Sequence, residues 1–175
     1  HLISHLDIGC PSKTLMPTKL GQNFLKDAEI VKKIINAAEI KPTDTILEIG
    51  PGEGILTEEM AKYAKKIVAI EIDRNLVRIL KNKFKNNRKI EIIEGDVLKL
   101  NLSDFGNLTP HPNSETKSTL SPRKKGLRGE KKPNTNYKLI ANLPYYITSP
   151  ILRLFLEADV SPPEMILIVQ KEVSE

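Results

Sequence analysis

Apolar positions along the chain fall into two alternating rhythms. Ile30, Val31, Ile34, Ile35 and Ala38 recur at helical spacing, with Asp27 placed to cap the helix and Pro42 beyond its end. The run TILEIG, 45–50, then reads as a short strand rich in β-branched residues. Ile55, Leu56 and Met60 mark one face of a second helix, and KIVAIEID, 66–73, forms a second strand. Leu76, Val77, Leu80 and Phe84 line a third helix, followed by KIEIIEGD, 89–96, as a third strand. Further on, YKLIAN, 137–142, and EMILIVQ, 164–170, read as strands on either side of a helix. That helix is expected to start at Ser149 as cap with Pro150 in its first turn, and to bury Ile151, Leu152, Leu154 and Phe155. Continuous Ile, Val and Leu strands separated by helices predict an α/β fold, a parallel sheet with helices on both faces.

Two stretches break the rhythm. Residues 1–19 form no recognisable element and are expected to be an irregular leader, so that the folded domain runs over 20–175. Between Ser103 and Asn136 the composition turns to Ser, Thr, Asn, Pro and Lys, with Pro110, Pro112, Pro122 and Pro133. So few apolar side chains do not offset the entropy of ordering, and this segment reads as a low-complexity surface insertion. The chain opens on His1 and closes on VQKEVSE at a strand-to-helix handover, so a truncated C-terminal part is expected.

Composition narrows the class. The 175 residues are 39% hydrophobic and 28% charged, enough to bury the core of one globular domain. No apolar run reaches the ~20 residues of a membrane helix, and the first residues lack the pattern of a secretory signal. A soluble cytoplasmic monomer without membrane association is expected. Cys10 stands alone, and His1, His5 and His111 are scattered, so neither a disulfide nor a metal-ligand spacing is present and no metal is expected. The net charge of +5 lies mostly in the insertion, whose cluster Arg123, Lys124, Lys125, Arg128, Lys131 and Lys132 reads first as a solvated basic loop.

The first strand ends in EIGPGEG, 48–54, and opens directly into a helix. Glycines there let a ligand approach the backbone closely. The spacing is one residue short of the dinucleotide fingerprint, and Glu53 places a negative charge where a pyrophosphate would sit, which disfavours NAD. Glu71, at the tip of the second strand and about 20 residues past the glycines, occupies the position of a ribose-binding carboxylate. Asp96 ends the third strand and can accept from an adenine 6-amino group. Gly50, Glu71 and Asp96 thus describe an adenosine pocket; the bland alternative makes the two acids helix caps or surface charges. Adenosine without phosphate suggests S-adenosylmethionine. In LGQNFL, 20–25, Asn23 and Leu25 could close over its methionine end.

The fourth strand runs into Asn142, Leu143, Pro144 and Tyr145. The 6-amino group of adenine is a poor nucleophile because its lone pair is delocalised into the ring. Two acceptors on its N–H groups draw it towards tetrahedral geometry, and the Asn142 side chain and the Leu143 carbonyl are the candidates. Pro144 fixes the backbone and Tyr145 gives a face on which an extruded base stacks. Asn142 as a simple turn cap, with half-buried tyrosines behind it, is the alternative.

These segments, LGQNFL, EIGPGEGILTEEM, EID, GDVLK, NLPYYITSPIL and VQKEVSE, closely resemble in order those of the ribosomal RNA adenine dimethyltransferase family, its small-subunit branch in particular. The resemblance implies a Rossmann-like S-adenosylmethionine-dependent methyltransferase fold and dimethylation of two adjacent adenosines near the 3′ end of small-subunit ribosomal RNA during ribosome biogenesis. It implies that Asn23, Leu25, Gly50, Glu71, Asp96 and Asn142 contact the cofactor and that Asn142 to Tyr145 hold the target base. The partner implied is small-subunit RNA or a pre-small-subunit particle. The long insertion departs from the family pattern, and the family's C-terminal helical RNA-binding domain is expected to lie outside this sequence. The competing readings are a large-subunit RNA or DNA adenine methyltransferase, and a non-catalytic assembly or transcription factor on the same fold.

Overall fold

The computed structural model describes residues 2–5, 28–100, 137–143, 145–158 and 161–169. Its elements are β1 (Leu2–His5), α1 (Ala28–Ala38), β2 (Thr45–Ile49), α2 (Ile55–Met60), β3 (Lys66–Glu71), α3 (Arg74–Lys83), β4 (Ile90–Glu94), β5 (Tyr137–Leu143), α4 (Tyr145–Leu156) and β6 (Glu164–Val169). The strands form one sheet in the order β1-β6-β5-β2-β3-β4, and every pairing is parallel. From β2 the chain winds outward through β3 and β4, then returns to β5 on the other side of β2 and winds outward again to β6. The α/β expectation therefore holds, and the strand order reverses between β2 and β5.

Alternation along each strand feeds two cores. Leu47, Ile49, Val68, Ile70, Leu139 and Ala141 pack with Ile151, Leu154 and Phe155 of α4. On the opposite face Ile46, Ile67, Ile140 and Ile166 pack with Ile30, Val31 and Ile34 of α1 and Leu56 and Met60 of α2. Ala69 and Ile92 extend that face beneath Val77, Leu80 and Phe84 of α3. Central strands covered on both sides favour apolar residues, which is why their sequences read as largely apolar runs.

Two expectations need correction. Leu2–His5, placed in an irregular leader, pairs in parallel register with β6 from Leu2 opposite Glu164 to His5 opposite Leu167. An edge strand needs only one neighbour and four residues, too short for a period to show. The last helix starts at Tyr145, not at Ser149, and carries Pro150 inside it. Proline there removes one helical hydrogen bond, and burial of Ile151, Leu154 and Phe155 offsets that loss. The consequence is a first turn that begins at the very end of β5. Asp27 and the insertion 103–136 lie outside the described residues.

The glycine loop between β2 and α2 is shaped by backbone geometry. Gly50, Gly52 and Gly54 all have positive φ, at 69°, 59° and 75°. At Gly54 a Cβ would also stand 2.6 Å from Leu80 Cδ2 and 2.8 Å from the Phe84 ring. Gly54→Ala therefore combines left-handed strain with overpacking, and we expect a loss of about 2–4 kcal/mol in urea unfolding. A loss under about 0.5 kcal/mol would contradict this account of the loop.

Candidate active site

Carboxyl ends of parallel strands on either side of a reversal in strand order splay apart and leave a crevice. Here that crevice is a cavity of about 310 Å³ bordered by Gly50 to Glu53, Glu71 to Asp73, Gly95 to Val97 and Asn142 to Leu143, with Tyr146, Ile147 and Ile151 of α4 beside them. Four strand ends thus contribute to one rim. Of the residues expected from the sequence, Gly50, Glu71, Asp96, Asn142 and Leu143 are brought together there. Tyr145 opens α4 immediately beyond β5. Asn23, Leu25 and Pro144 lie outside the described residues.

Glu71 organises the rim. It is buried, and its Oε1 accepts from the backbone N–H of Ile72 at 2.8 Å and of Asp73 at 3.0 Å. Oε2 accepts from the N–H of Gly52 at 3.2 Å. A buried carboxylate needs such donors to offset its desolvation. A carboxylate offers about four acceptor positions, so one on Oε2 stays open towards the cavity. The glycine loop is fixed further by the Gly50 N–H donating to Ile70 O at 3.0 Å and that of Gly54 donating to Pro51 O at 2.9 Å.

Asp96 is both a cap and a cavity residue. Its Oδ1 accepts from the Leu98 N–H at 3.0 Å, starting the 3-10 turn Val97–Lys99, and Lys99 Nζ lies 3.5 Å from Oδ2. The two alternatives weighed for it from sequence are therefore compatible. Asp73 is a cap of the ordinary kind, its Oδ1 accepting from Asn75 N at 2.7 Å and Leu76 N at 3.4 Å at the start of α3. Asn142 differs from both. Its Oδ1 is buried and has no hydrogen-bond partner among the described residues. Leaving a buried acceptor unpaired costs about 1–3 kcal/mol, so this oxygen is a favourable place for a hydrogen-bond donor. Among the described residues it makes no turn-capping hydrogen bond.

Sequence reasoning missed three features. Ile72 is 68% exposed although large and apolar, and it borders the cavity. The signal was an isoleucine between a strand-ending acid and a capping aspartate, where solvent-facing residues are usually polar. Tyr146, on the first turn of α4, lines the cavity. The third is Glu48, which points from β2 to the α2 face beneath the loop, is 2% exposed, and accepts from Thr57 Oγ1 at 2.6 Å. Burial pushes its carboxyl up to about 7, opposed by the Thr57 hydrogen bond and reinforced by the nearby charge of Glu71. Among the described residues no cluster of His, Cys, Asp and Glu could hold a metal ion, and no helix is long and apolar enough to cross a membrane.

The sequence model of the ribosomal RNA adenine dimethylase family matches residues 14–175. The chain belongs to that family. Ribosomal RNA small subunit methyltransferase A of Dehalococcoides mccartyi strain BAV1 is 43% identical over 155 residues, covering 89% of this chain and 45% of the relative. The protein of that name from Clostridioides difficile strain 630 is 42% identical over 156 residues, covering 89% and 46%. The chain thus spans about half the length of the curated relatives it matches. Among solved structures, the 23S rRNA methyltransferase ErmE aligns with a TM-score of 0.58 and 28% identity over 85% of this chain and 48% of that one. A dimethyladenosine transferase from Plasmodium falciparum aligns with a TM-score of 0.57 and 27% identity over 83% and 42%. The Rossmann-like methyltransferase fold expected for this adenine dimethylase relative is the fold it has.

The folded protein binds the Glu48 proton more tightly than the unfolded chain does. Stability from this group is fully present below the unfolded value of 4.5 and is lost as pH rises through about 7. The stake is on the order of 3 kcal/mol. Melting temperature should fall from pH 5 to pH 8 in the wild type, and Glu48→Gln should flatten that fall while keeping the bond from Thr57. Equal slopes in both proteins would exclude a neutral Glu48.

Proposed function

We propose that this chain carries the catalytic unit of an S-adenosylmethionine-dependent RNA methyltransferase. Its substrate is the pair of adjacent adenosines near the 3′ end of small-subunit ribosomal RNA, each of which receives two methyl groups on its 6-amino nitrogen. One atom carries this assignment: Asn142 Oδ1, a buried acceptor without a partner among the described residues, on the rim that Glu71 and Asp96 share. The small-subunit substrate is supported by the names of the relatives at 43% and 42% identity. On this reading the protein works as a monomer in the cytoplasm, on pre-small-subunit particles.

The residues present fit the cofactor. The open position on Glu71 Oε2 accepts a ribose hydroxyl, and Asp96 accepts from the adenine 6-amino group. Exposed Ile72 and buried Val97 supply apolar walls for the flat ring, and the loop at Gly50 admits the chain close to its backbone. Asn23 and Leu25 close the methionine end. Bound S-adenosylmethionine supplies a sulfonium methyl as the electrophile.

The chain's own work is positioning and electrostatics. Asn142 Oδ1 and the Leu143 carbonyl accept the two N–H groups of the target amine and localise its lone pair. Pro144 holds that carbonyl in place, and Tyr145 stacks on the extruded base. The amine becomes strongly acidic once alkylated, so its surplus proton passes to solvent without a dedicated base.

Asn142→Ala should slow methylation of unmodified small subunits about 100- to 1,000-fold at saturating cofactor, on the scale of losing one aligned polar partner. An unchanged rate, or preferential methylation of duplex DNA by the wild type, would overturn the assignment. Glu71→Ala should weaken S-adenosylmethionine binding by about 1–3 kcal/mol in calorimetry through loss of a charge-assisted hydrogen bond. Unchanged affinity would remove Glu71 from the cofactor site.

A further inference from the structure

Helix α3 and the turn after it carry a charge pattern that the cavity does not use. From Arg74 to Lys89 the sequence contains seven basic residues and no acidic one. Without this run the chain has 20 basic residues, 27 less 7, against 22 acidic ones. The structure divides these cations by the flank on which they lie. Lys83 faces α2, pairing with Glu58 at 2.9 Å and donating to the carbonyls of Glu53 and Gly54 at 3.3 and 3.4 Å. Lys89 donates to Ala61 O at 3.2 Å. Both are explained by packing.

Arg74, Arg78 and Lys81 are spaced four and three residues apart, so they share one face, the flank turned away from α2. The pairing of Arg74 with Glu94 at 3.0 Å fixes that flank at the β4 edge of the sheet. Lys85 and Arg88 continue the positive run in the turn after α3. All five are exposed, with the Arg74 side chain at 86%. Arg78 donates to the neutral Asn75 Oδ1 at 2.8 Å, and Lys81, Lys85 and Arg88 make no salt bridge among the described residues.

Helix stability does not account for the stripe. Cations suit the last turn, which covers Lys81, but Arg74 stands in the first turn against the helix dipole. Arg74 and Arg78 repel across one helical turn, and no acid interleaves them as on an ordinary solvated face. The stripe also begins next to Asp73, which borders the cavity. From there it runs away from the rim in steps of about 4.5–6 Å. Three strand spacings separate β4 from β5, about 14 Å, so the stripe lies too far from Asn142 to touch the target base.

Resting on the RNA substrate proposed above, we propose that Arg74, Arg78, Lys81 and Lys85 form a track for the phosphate backbone of the RNA helix that flanks the target adenosines. A row of guanidinium and ammonium groups on a rigid helix matches a polyanion of regular charge spacing, and it contacts phosphates without reading sequence. Such contacts position the substrate, whereas the rim carries the chemistry.

The test compares two variants of equal charge change in the full-length protein. Arg78→Glu with Lys81→Glu reverses the stripe; Lys32→Glu with Lys33→Glu reverses two exposed lysines on α1. Binding to unmodified small-subunit RNA is measured against salt concentration, alongside S-adenosylmethionine affinity and single-turnover methylation at saturating RNA. The stripe variant should bind RNA at least 10-fold more weakly at low salt and lower the salt slope by about 1–2, with cofactor affinity and saturated methylation unchanged. The α1 variant should keep RNA affinity within about 3-fold. Wild-type RNA affinity in the stripe variant, or an equal loss in both variants, overturns the track while leaving the functional reading standing. A wild type that takes the cofactor but neither binds nor methylates this RNA overturns the functional reading and the track with it.

Discussion

Three backbone N–H groups converge on one buried carboxylate, and the rest of the site depends on that convergence. Glu71 ends β3 and accepts from Gly52 in the loop after β2 and from Ile72 and Asp73 ahead of α3. One side chain therefore fixes two loops that no secondary-structure ladder holds. Its own backbone carbonyl accepts from Gly95 N at 2.9 Å and ties in the loop after β4 as well. Because these bonds form in a buried place, breaking one strands a charge rather than merely freeing a donor. Loops fixed in this way at the strand ends give the cavity its shape from within the protein itself.

Beneath the rim the same logic recurs in neutral form. Glu48 sits on the helix face of β2, and its bond from Thr57 ties the strand to α2 across the glycine loop. With its carboxyl pushed up to about 7, the pair is mostly an uncharged hydrogen bond below that pH, which a dry layer between strand and helix tolerates better than an ion. Charge in the molecule is sorted accordingly. Acids and a neutral amide border the cavity, suiting a cationic sulfonium, whereas a run of cations without acids stands outside on the α3 flank, suiting a polyanion. On the proposed reading, keeping the two apart lets cofactor and RNA approach the same rim from different sides.

Much of this was legible from the chain. Each sheet strand buried on both faces announces itself as an Ile, Val and Leu run, and the glycines, Glu71 and Asp96 fall at strand ends where parallel topology makes them neighbours. Asn142 was legible for the same reason, since it closes a strand next to β2. Other features were not. Leu2–His5 is four residues long and pairs with a strand about 160 positions later, so no local period marks it. Pro150 looked like a helix start because local preference favours proline there; the helix instead begins at Tyr145, with Ile147 packed against the core ahead of the proline. Glu48 looked like part of the glycine loop, because one acid in an apolar strand does not show which face it takes. The α3 stripe needed the fold too, since only the structure shows that Lys83 and Lys89 face the packed side and the other cations do not.

The account stands or falls on whether this rim methylates adenine in small-subunit RNA. Mass analysis of that RNA from cells deprived of the full-length gene, and from the same cells after its return, tests this most directly. We predict that two adjacent adenosines near the 3′ end lose both methyl groups in the deprived cells and regain them with the wild-type gene. Unchanged dimethylation in the deprived cells, or a loss confined to large-subunit RNA or DNA, would contradict it.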